Sequence, residues 1–314
     1  MRLELRGIWR LANYRLLWGA ATISSFGSQV SQIAIPLLAV ITLHASPLQM
    51  GVLAAAQNAA VPVFGLFAGV LADRRRRMPL LVFADLARAL LLLSIPLAWW
   101  TDQLSIALLI VVAFLSGAFG VVFDVTRQSM IPTMVDRNQL VDANGKIYLS
   151  ETASDLVGPG LAGAMVQLLG APVAILIDAV SYLASATLLV RMKLVEQISN
   201  AAPWSLRIIG REIAEGYRTV MSIPILQRMS LSVAAGNLFE SARNAVLILF
   251  MTRELDFSAS LVGIIYAIGG AGFFIGALLP GPVANRLGLG RAIPTGLRSL
   301  WSGEVRFPLA GVPQ

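Results

Sequence analysis

Glu240 and Arg243 stand at i and i+3 inside a long apolar run, residues 225–251, which puts them on one helix face. Ionisable groups are costly within a hydrocarbon layer, so each one found there is a candidate for function. A carboxylate at that depth could load a proton, with Arg243 as the counter-charge that modulates release. A structural ion pair to a neighbouring helix is the competing reading. Glu151 and Asp155 form a second candidate site for proton coupling, at i and i+4 just ahead of Gly158 and Pro159. Like charges one turn apart share protons or recruit an arginine. Asp85 and Arg88, at i and i+3, read as a helix-internal salt bridge, and Asp178 as a residue hydrogen-bonded inside the bundle, with Tyr182 at i+4 a candidate partner. Ser25, Ser28, Gln29 and Gln32 form a polar stripe at helical spacing in the first apolar run, which Gln57 and Asn58 could extend. Such a stripe is expelled from lipid. It lines either a substrate cavity or a hydrogen-bonded helix contact.

The composition says what surrounds these groups. Of 314 residues 57% are hydrophobic and only 13% charged, with a mean hydropathy of +0.75. Soluble domains carry about twice that share of charge. The chain is therefore read as an integral membrane protein. It has no cysteine and one histidine, His44, which removes thiolate chemistry, clustered metal ligands and histidine-based triads. It contains no phosphate-binding G-x-x-x-x-G-K-[ST] loop. No enzyme activity, cofactor or metal is expected. A formal net charge of +7 suggests nucleic acid, but a nucleic-acid surface gathers its basic residues in one soluble patch. Here they are spread between apolar runs, so no nucleic-acid partner is expected.

A bilayer core of about 30 Å takes about 20 helical residues to cross. Eight runs are long enough: 17–43, 47–72, 78–100, 104–125, 148–169, 171–190, 225–251 and 261–284. With the N-terminus inside, every Lys and Arg except Arg88, Arg243 and Arg253 falls on the inner side of this topology. That is the distribution the positive-inside rule requires. Within residues 204–220, Leu206, Ile209, Ile213 and Tyr217 recur at three- and four-residue spacing. They predict an amphipathic helix on the inner membrane surface. The domain reading is a six-helix bundle over 1–190, a linker with that helix over 191–224, the first two helices of a second bundle over 225–291, and a polar tail over 292–314.

An internal repeat ties the ends together. Gly69-Val-Leu-Ala-Asp73-Arg74 closes the second run and Gly281-Pro-Val-Ala-Asn285-Arg286 closes the eighth, both reading G-x-x-x-[DN]-R. The same offset pairs Ser46 with Ser258 and Gly51 with Gly263. Parallel repeats of helical bundles are a transporter architecture.

The G-x-x-x-D-R stretch, with its following arginines up to Arg77, resembles the loop signature of the major facilitator superfamily. The segment from Ser154 to Gly163 is similar to that family's antiporter motif, G-x-x-x-G-P-x-x-G-G, with Ser154 and Ala162 in place of glycines. The run from Ile177 to Leu183 resembles the branch of macrolide-efflux proteins and enterobactin exporters. One departure is Arg76, where the family has glycine, so that turn cannot use a glycine's positive φ. Another is the number of helices: eight against the family's twelve. Residues 292–314 hold two arginines, a glutamate and three prolines where a ninth span is due, and read as a truncated or frameshifted end.

The resemblance implies an all-α, major facilitator-like membrane bundle that exports a small amphiphilic molecule by alternating access, driven by protons. It implies a monomer in the plasma membrane with a cytoplasmic N-terminus and the lipid bilayer around it. Gly69, Asp73, Arg74 and Arg77, with Asp124 and Arg127 at the end of the fourth run, would form a latch that pairs when the inner side closes. Glu151 and Asp155 would belong to that latch or to a proton route. Gly158, Pro159 and Gly163 would seal the protein against leak, and the first, fourth and seventh runs would line the cavity. A remnant that does not transport is the alternative.

Overall fold

Serine, glycine and proline set where the helices of this chain begin and end. The structure, a computed structural model, describes residues 7–193 and 206–278. Among these described residues nine α-helices follow one another: α1 (Ala12–Ile41), α2 (Pro47–Arg74), α3 (Arg77–Trp100), α4 (Ile106–Met130), α5 (Leu140–Leu169), α6 (Ala171–Val190), α7 (Leu206–Ser222), α8 (Pro224–Arg253) and α9 (Ala259–Leu278). No strand occurs among the described residues. Ser46 opens α2 with a reciprocal capping box. Its hydroxyl accepts from the Gln49 amide while the Gln49 side chain accepts from the Ser46 amide. Its repeat partner Ser258 caps α9 by accepting from the Leu261 amide at 3.3 Å, so the repeat extends to the caps. Gly170 joins α5 to α6 with φ +83°, a conformation other residues adopt only under strain. The turn from α2 to α3 needs no such freedom. Arg75 and Arg76 make it at φ −119° and −60°, which explains why an arginine serves there.

The eight expected runs correspond to α1–α6, α8 and α9, and the amphipathic segment to α7. By length and composition, however, only α1, α3, α4 and α6 qualify as spans among the described residues. The two segments of α2, bent by 51°, make a fifth if counted together. Pro62 precedes that bend, as expected of a helix that has lost a backbone hydrogen bond. The polar content of α5 explains its absence. It starts at Leu140, eight residues before the apolar run, and carries Asp142, Lys146, Glu151 and Asp155 within its first sixteen residues. Asp142 and Lys146 pair at 2.6 Å along this extension. Its apolar side is fixed by α1, where the buried Tyr14 hydroxyl donates to the Ala143 carbonyl at 2.8 Å.

Contacts divide the chain into residues 1–267 and 268–314, and only the first unit is described further. Within it α1 packs on α5 and α6, α3 on α4 and α6, and α2 on α4 and α8. Two apolar clusters stack along the bundle. One, near the arginine-rich turn, contains Tyr14, Leu17, Leu81, Ala84, Phe123 and Leu189. The other, at the opposite end, contains Leu37, Leu38, Met50, Leu92, Ile175 and Ile248. Leu90, Leu97, Val111 and Val180 point outward and are exposed, as lipid-facing residues must be. The second copy of the G-x-x-x-[DN]-R motif and the tail lie outside the described residues.

Candidate functional site

Between the two apolar clusters α1, α3 and α6 enclose a polar layer. Helices α1 and α6 can meet there because residue 27 is glycine. A Cβ at that position would fall 2.0 Å from Ser181 Oγ and 2.3 Å from Asp178 Oδ1. The Ser28 hydroxyl donates to the Ser24 carbonyl and lies 2.8 Å from the Tyr182 hydroxyl. Arg88 on α3 donates through Nη2 to Ser28 at 3.1 Å and to the Tyr182 hydroxyl, and its guanidinium carbon sits 3.9 Å from the Tyr182 ring centre. Asp178 accepts from Ser181 at 3.1 Å. The helix-internal pair of Asp85 and Arg88 is present, though long, and Asp178 hydrogen-bonds inside the bundle with Ser181 where Tyr182 was the candidate. Arg88 stays 3.9 Å from Asp85, beyond hydrogen-bond reach, because its fork is taken by groups on α1 and α6.

The polar stripe of α1 divides among its neighbours. Ser25 and Ser154 of α5 share a hydrogen bond of 2.5 Å, and Gln29 donates to Asp155 at 2.5 Å. Gly158 permits the second contact, since a Cβ there would stand 2.5 Å from Gln29 Cβ. Three stripe residues thus bind helices, and Gln32 is exposed. The two carboxylates of α5 have separate partners. Asp155 takes Gln29, while Glu151 takes Nη2 of Arg127 at 2.7 Å. Arg127 also stands 3.5 Å from Asp124, one turn back on α4.

The remaining residues of interest lie at the ends. Asp73 is exposed where α2 closes, and a Cβ at Gly69 would meet nothing within 4 Å. Arg74, Arg75 and Arg76 rim an 810 Å³ groove between α2, α3 and α4 that Phe64, Phe67, Phe83 and Phe119 line. Arg77 begins α3 and is half-buried. The structure brings Arg127, Asp124 and Glu151 together, and Asp73 is not among the partners of Arg127. Gly163 touches α9, where a Cβ would come within 2.6 Å of the Ala259 carbonyl and 2.8 Å of Gly263 Cα. The Pro159 carbonyl faces Gly263 at similar range. Small residues on both helices make this approach possible. Arg253, at the end of α8, donates to the Ala45 carbonyl at 2.9 Å and so ties α8 to the turn between α1 and α2. Glu240 and Arg243 lie on α8, with Arg243 exposed. No cluster able to hold a metal occurs among the described residues.

A bundle with paired repeats, a charged turn after its second helix and a glycine-packed fifth helix is a family architecture. The family model described as Major Facilitator Superfamily matches residues 17–303. The chain belongs to that superfamily. Among its relatives are two described as uncharacterized MFS-type transporters of Bacillus subtilis (strain 168). YfiS is 25% identical over 270 residues, covering 84% of this chain and 63% of the relative. YvqJ is 26% identical over 212 residues, covering 66% of this chain and 50% of the relative. A third of the same description, y4rN of Sinorhizobium fredii (strain NBRC 101917 / NGR234), is 23% identical, covering 89% and 68%. The chain thus spans between half and about two thirds of the length of these relatives.

Its fold is similar to the crystal structure of a bacterial homolog of the human lysosomal transporter Spinster, solved in an inward-facing and unoccupied conformation. The TM-score is 0.65 at 15% identity, covering 88% of this chain and 63% of that one. As a superfamily member the chain is an all-α, multi-pass membrane protein. Transporters of this superfamily sit in a lipid bilayer, carry small molecules and are generally not enzymes. The sequence reading missed the polar layer around Arg88. The signal available was the count of polar residues at mid-helix in three separate runs, Ser28, Arg88 and Asp178, whose meeting only the fold reveals.

Proposed function

We propose that the protein is a secondary-active exporter that expels a small amphiphilic compound, drug-like or siderophore-like, in exchange for protons by alternating access. One observation carries this reading. Helix α1 spends its polar stripe on carboxylate- and arginine-bearing partners in α5, α3 and α6, so charge on those helices is mechanically joined to the helix that lines the cavity in this superfamily. Gln32, the exposed member of the stripe, offers a polar group to substrate, while Ser25, Ser28 and Gln29 hold α1 to its neighbours. Glu151 and Asp155 are proton-coupling candidates on α5, and Glu240 with Arg243 on α8. Asp73, Arg74 and Arg77, with Gly69 behind them, and the Asp124, Arg127 and Glu151 group form the inner gate. Gly158, Pro159 and Gly163 hold the helix contacts that seal the bundle.

The distribution of contacts agrees with an inward-facing state. Ile248, Met251, Ala259 and Val262 are buried at the end opposite the arginines, whereas residues 221–232 are all exposed. The protein works as a monomer in the plasma membrane with its N-terminus in the cytoplasm. The test is ethidium efflux from cells expressing the full chain. Efflux that an uncoupler abolishes supports the exporter. Retention of ethidium at full expression sinks it in favour of a membrane protein that does not transport.

A further inference from the structure

Two aspartates and one arginine meet in the layer between α1, α3 and α6, and their charges do not balance. Asp85 and Asp178 are both wholly buried. The Ser185 hydroxyl faces Asp85 and the Ser31 hydroxyl faces Asp178, but neither contact reaches good hydrogen-bond geometry. Arg88, the cation beside them, directs Nη2 away from Asp85 to Ser28 and Tyr182. The other groups facing Asp85 are Ser185 and Asp178 on α6 and Asp124 on α4, none of which adds positive charge. Tyr182 on α6 and Gly120 on α4 pack against the guanidinium. With both aspartates ionised the layer would carry one net negative charge, and Asp85 would face it with the Ser185 hydroxyl and a guanidinium 3.9 Å away. Enclosed charge of that kind calls for a compensating cation, and a proton is the smallest one.

We propose that Asp85 is a proton-exchanging residue and that Arg88 reads its charge. With Asp85 protonated the layer is neutral: Arg88 offsets Asp178 and is held by Tyr182 and Ser28, as observed. When the proton leaves an Asp85 oxygen for water, the layer gains one negative charge. The carboxylate then draws Arg88 in from 3.9 Å. Arg88 gives up Ser28 and Tyr182, which remain bonded to each other at 2.8 Å, and the hydrogen bonds that run from Arg88 to α1 and α6 are released. The proton has an exit past Arg88, whose side chain keeps 13% exposure, and the half-buried Ser28. Ser25, one turn before Ser28 on α1, and Gln29, next to it, hold Ser154 and Asp155, so a change at Ser28 is passed directly to α5. Its consequence for transport rests on the exporter reading, but the exchange of the proton does not.

The test is infrared difference spectroscopy of the full chain in lipid nanodiscs, titrated between about pH 5 and pH 9. Wild type should show the carbonyl stretch of a buried carboxylic acid that disappears on alkalinisation. Asp85→Asn should lack the band and Asp178→Asn should keep it. Asp85→Glu should show the band at a shifted frequency, which covers the case in which Asp85→Asn does not fold. Absence of the band, a band unchanged across the titration, or its loss in Asp178→Asn alone would overturn the proposal. So would absence of the band together with a melting temperature raised by sodium chloride but not by choline chloride, which would assign the site to a metal cation. A titrating Asp85 band in a protein that does not expel ethidium would leave this proposal standing and remove the exporter reading.

Discussion

Arg88 and Arg127 both stand three residues after an aspartate on their own helix, yet they have opposite surroundings. Arg127 is buried, and its acids reach solvent: the side chain of Asp124 is 60% exposed and that of Glu151 is 38% exposed. It pairs with both, most closely with Glu151 at 2.7 Å. Arg88 faces a fully buried Asp85 and bonds to hydroxyls instead. Spacing alone does not decide whether an aspartate and an arginine form an ion pair. Solvation of the acid does. An exposed carboxylate draws the arginine close, whereas a carboxylate enclosed by helices must compete for the arginine with hydroxyls from those helices.

Substitutions can break or sharpen this contrast. Arg88→Ala should have the largest effect, costing about 3–5 kcal/mol, because it leaves the buried aspartates with no cation. Thermal unfolding of the purified protein in detergent measures it, and a loss below about 1 kcal/mol would show that the layer is solvated. Gly27→Ala follows at about 1–3 kcal/mol, since its new methyl group collides with Ser181 and Asp178 and must push α1 from α6. Tyr182→Phe removes the hydroxyl shared by Ser28 and Arg88 and should cost about 1–3 kcal/mol in the same assay. Glu151→Gln should be the mildest. A partly exposed pair is screened by water, so the loss should stay under about 1 kcal/mol. Raising the salt concentration to about 1 M should shrink it further, while the Arg88→Ala loss stays constant.

Much of the fold could be read from the sequence because lipid imposes length and apolarity on each helix. The apolar runs, the single residue between the fifth and sixth of them and the paired serines of the repeat were visible in local pattern, while the capping by those serines emerged with the fold. The charged start of α5 was not. Its apolar side is covered by Tyr14 and other residues of α1, which lie more than a hundred positions earlier in the chain. The layer around Arg88 was hidden for the same reason. Ser28, Arg88 and Tyr182 come from three helices, and a scan for partners three or four residues apart assigns each to its own helix. Interhelical hydrogen bonds in a bundle leave no mark on local spacing. The α5 carboxylates were more legible, since like charges one turn apart must find separate partners. Arg127 and Gln29 supply them.

Ethidium transport into proteoliposomes compares wild type with Asp85→Asn under an imposed pH gradient and under counterflow without one. The account predicts that wild type accumulates ethidium against its gradient only when the pH gradient is present. Asp85→Asn should lose that accumulation while still exchanging internal for external ethidium. Gradient-driven accumulation by Asp85→Asn at the wild-type level would contradict it.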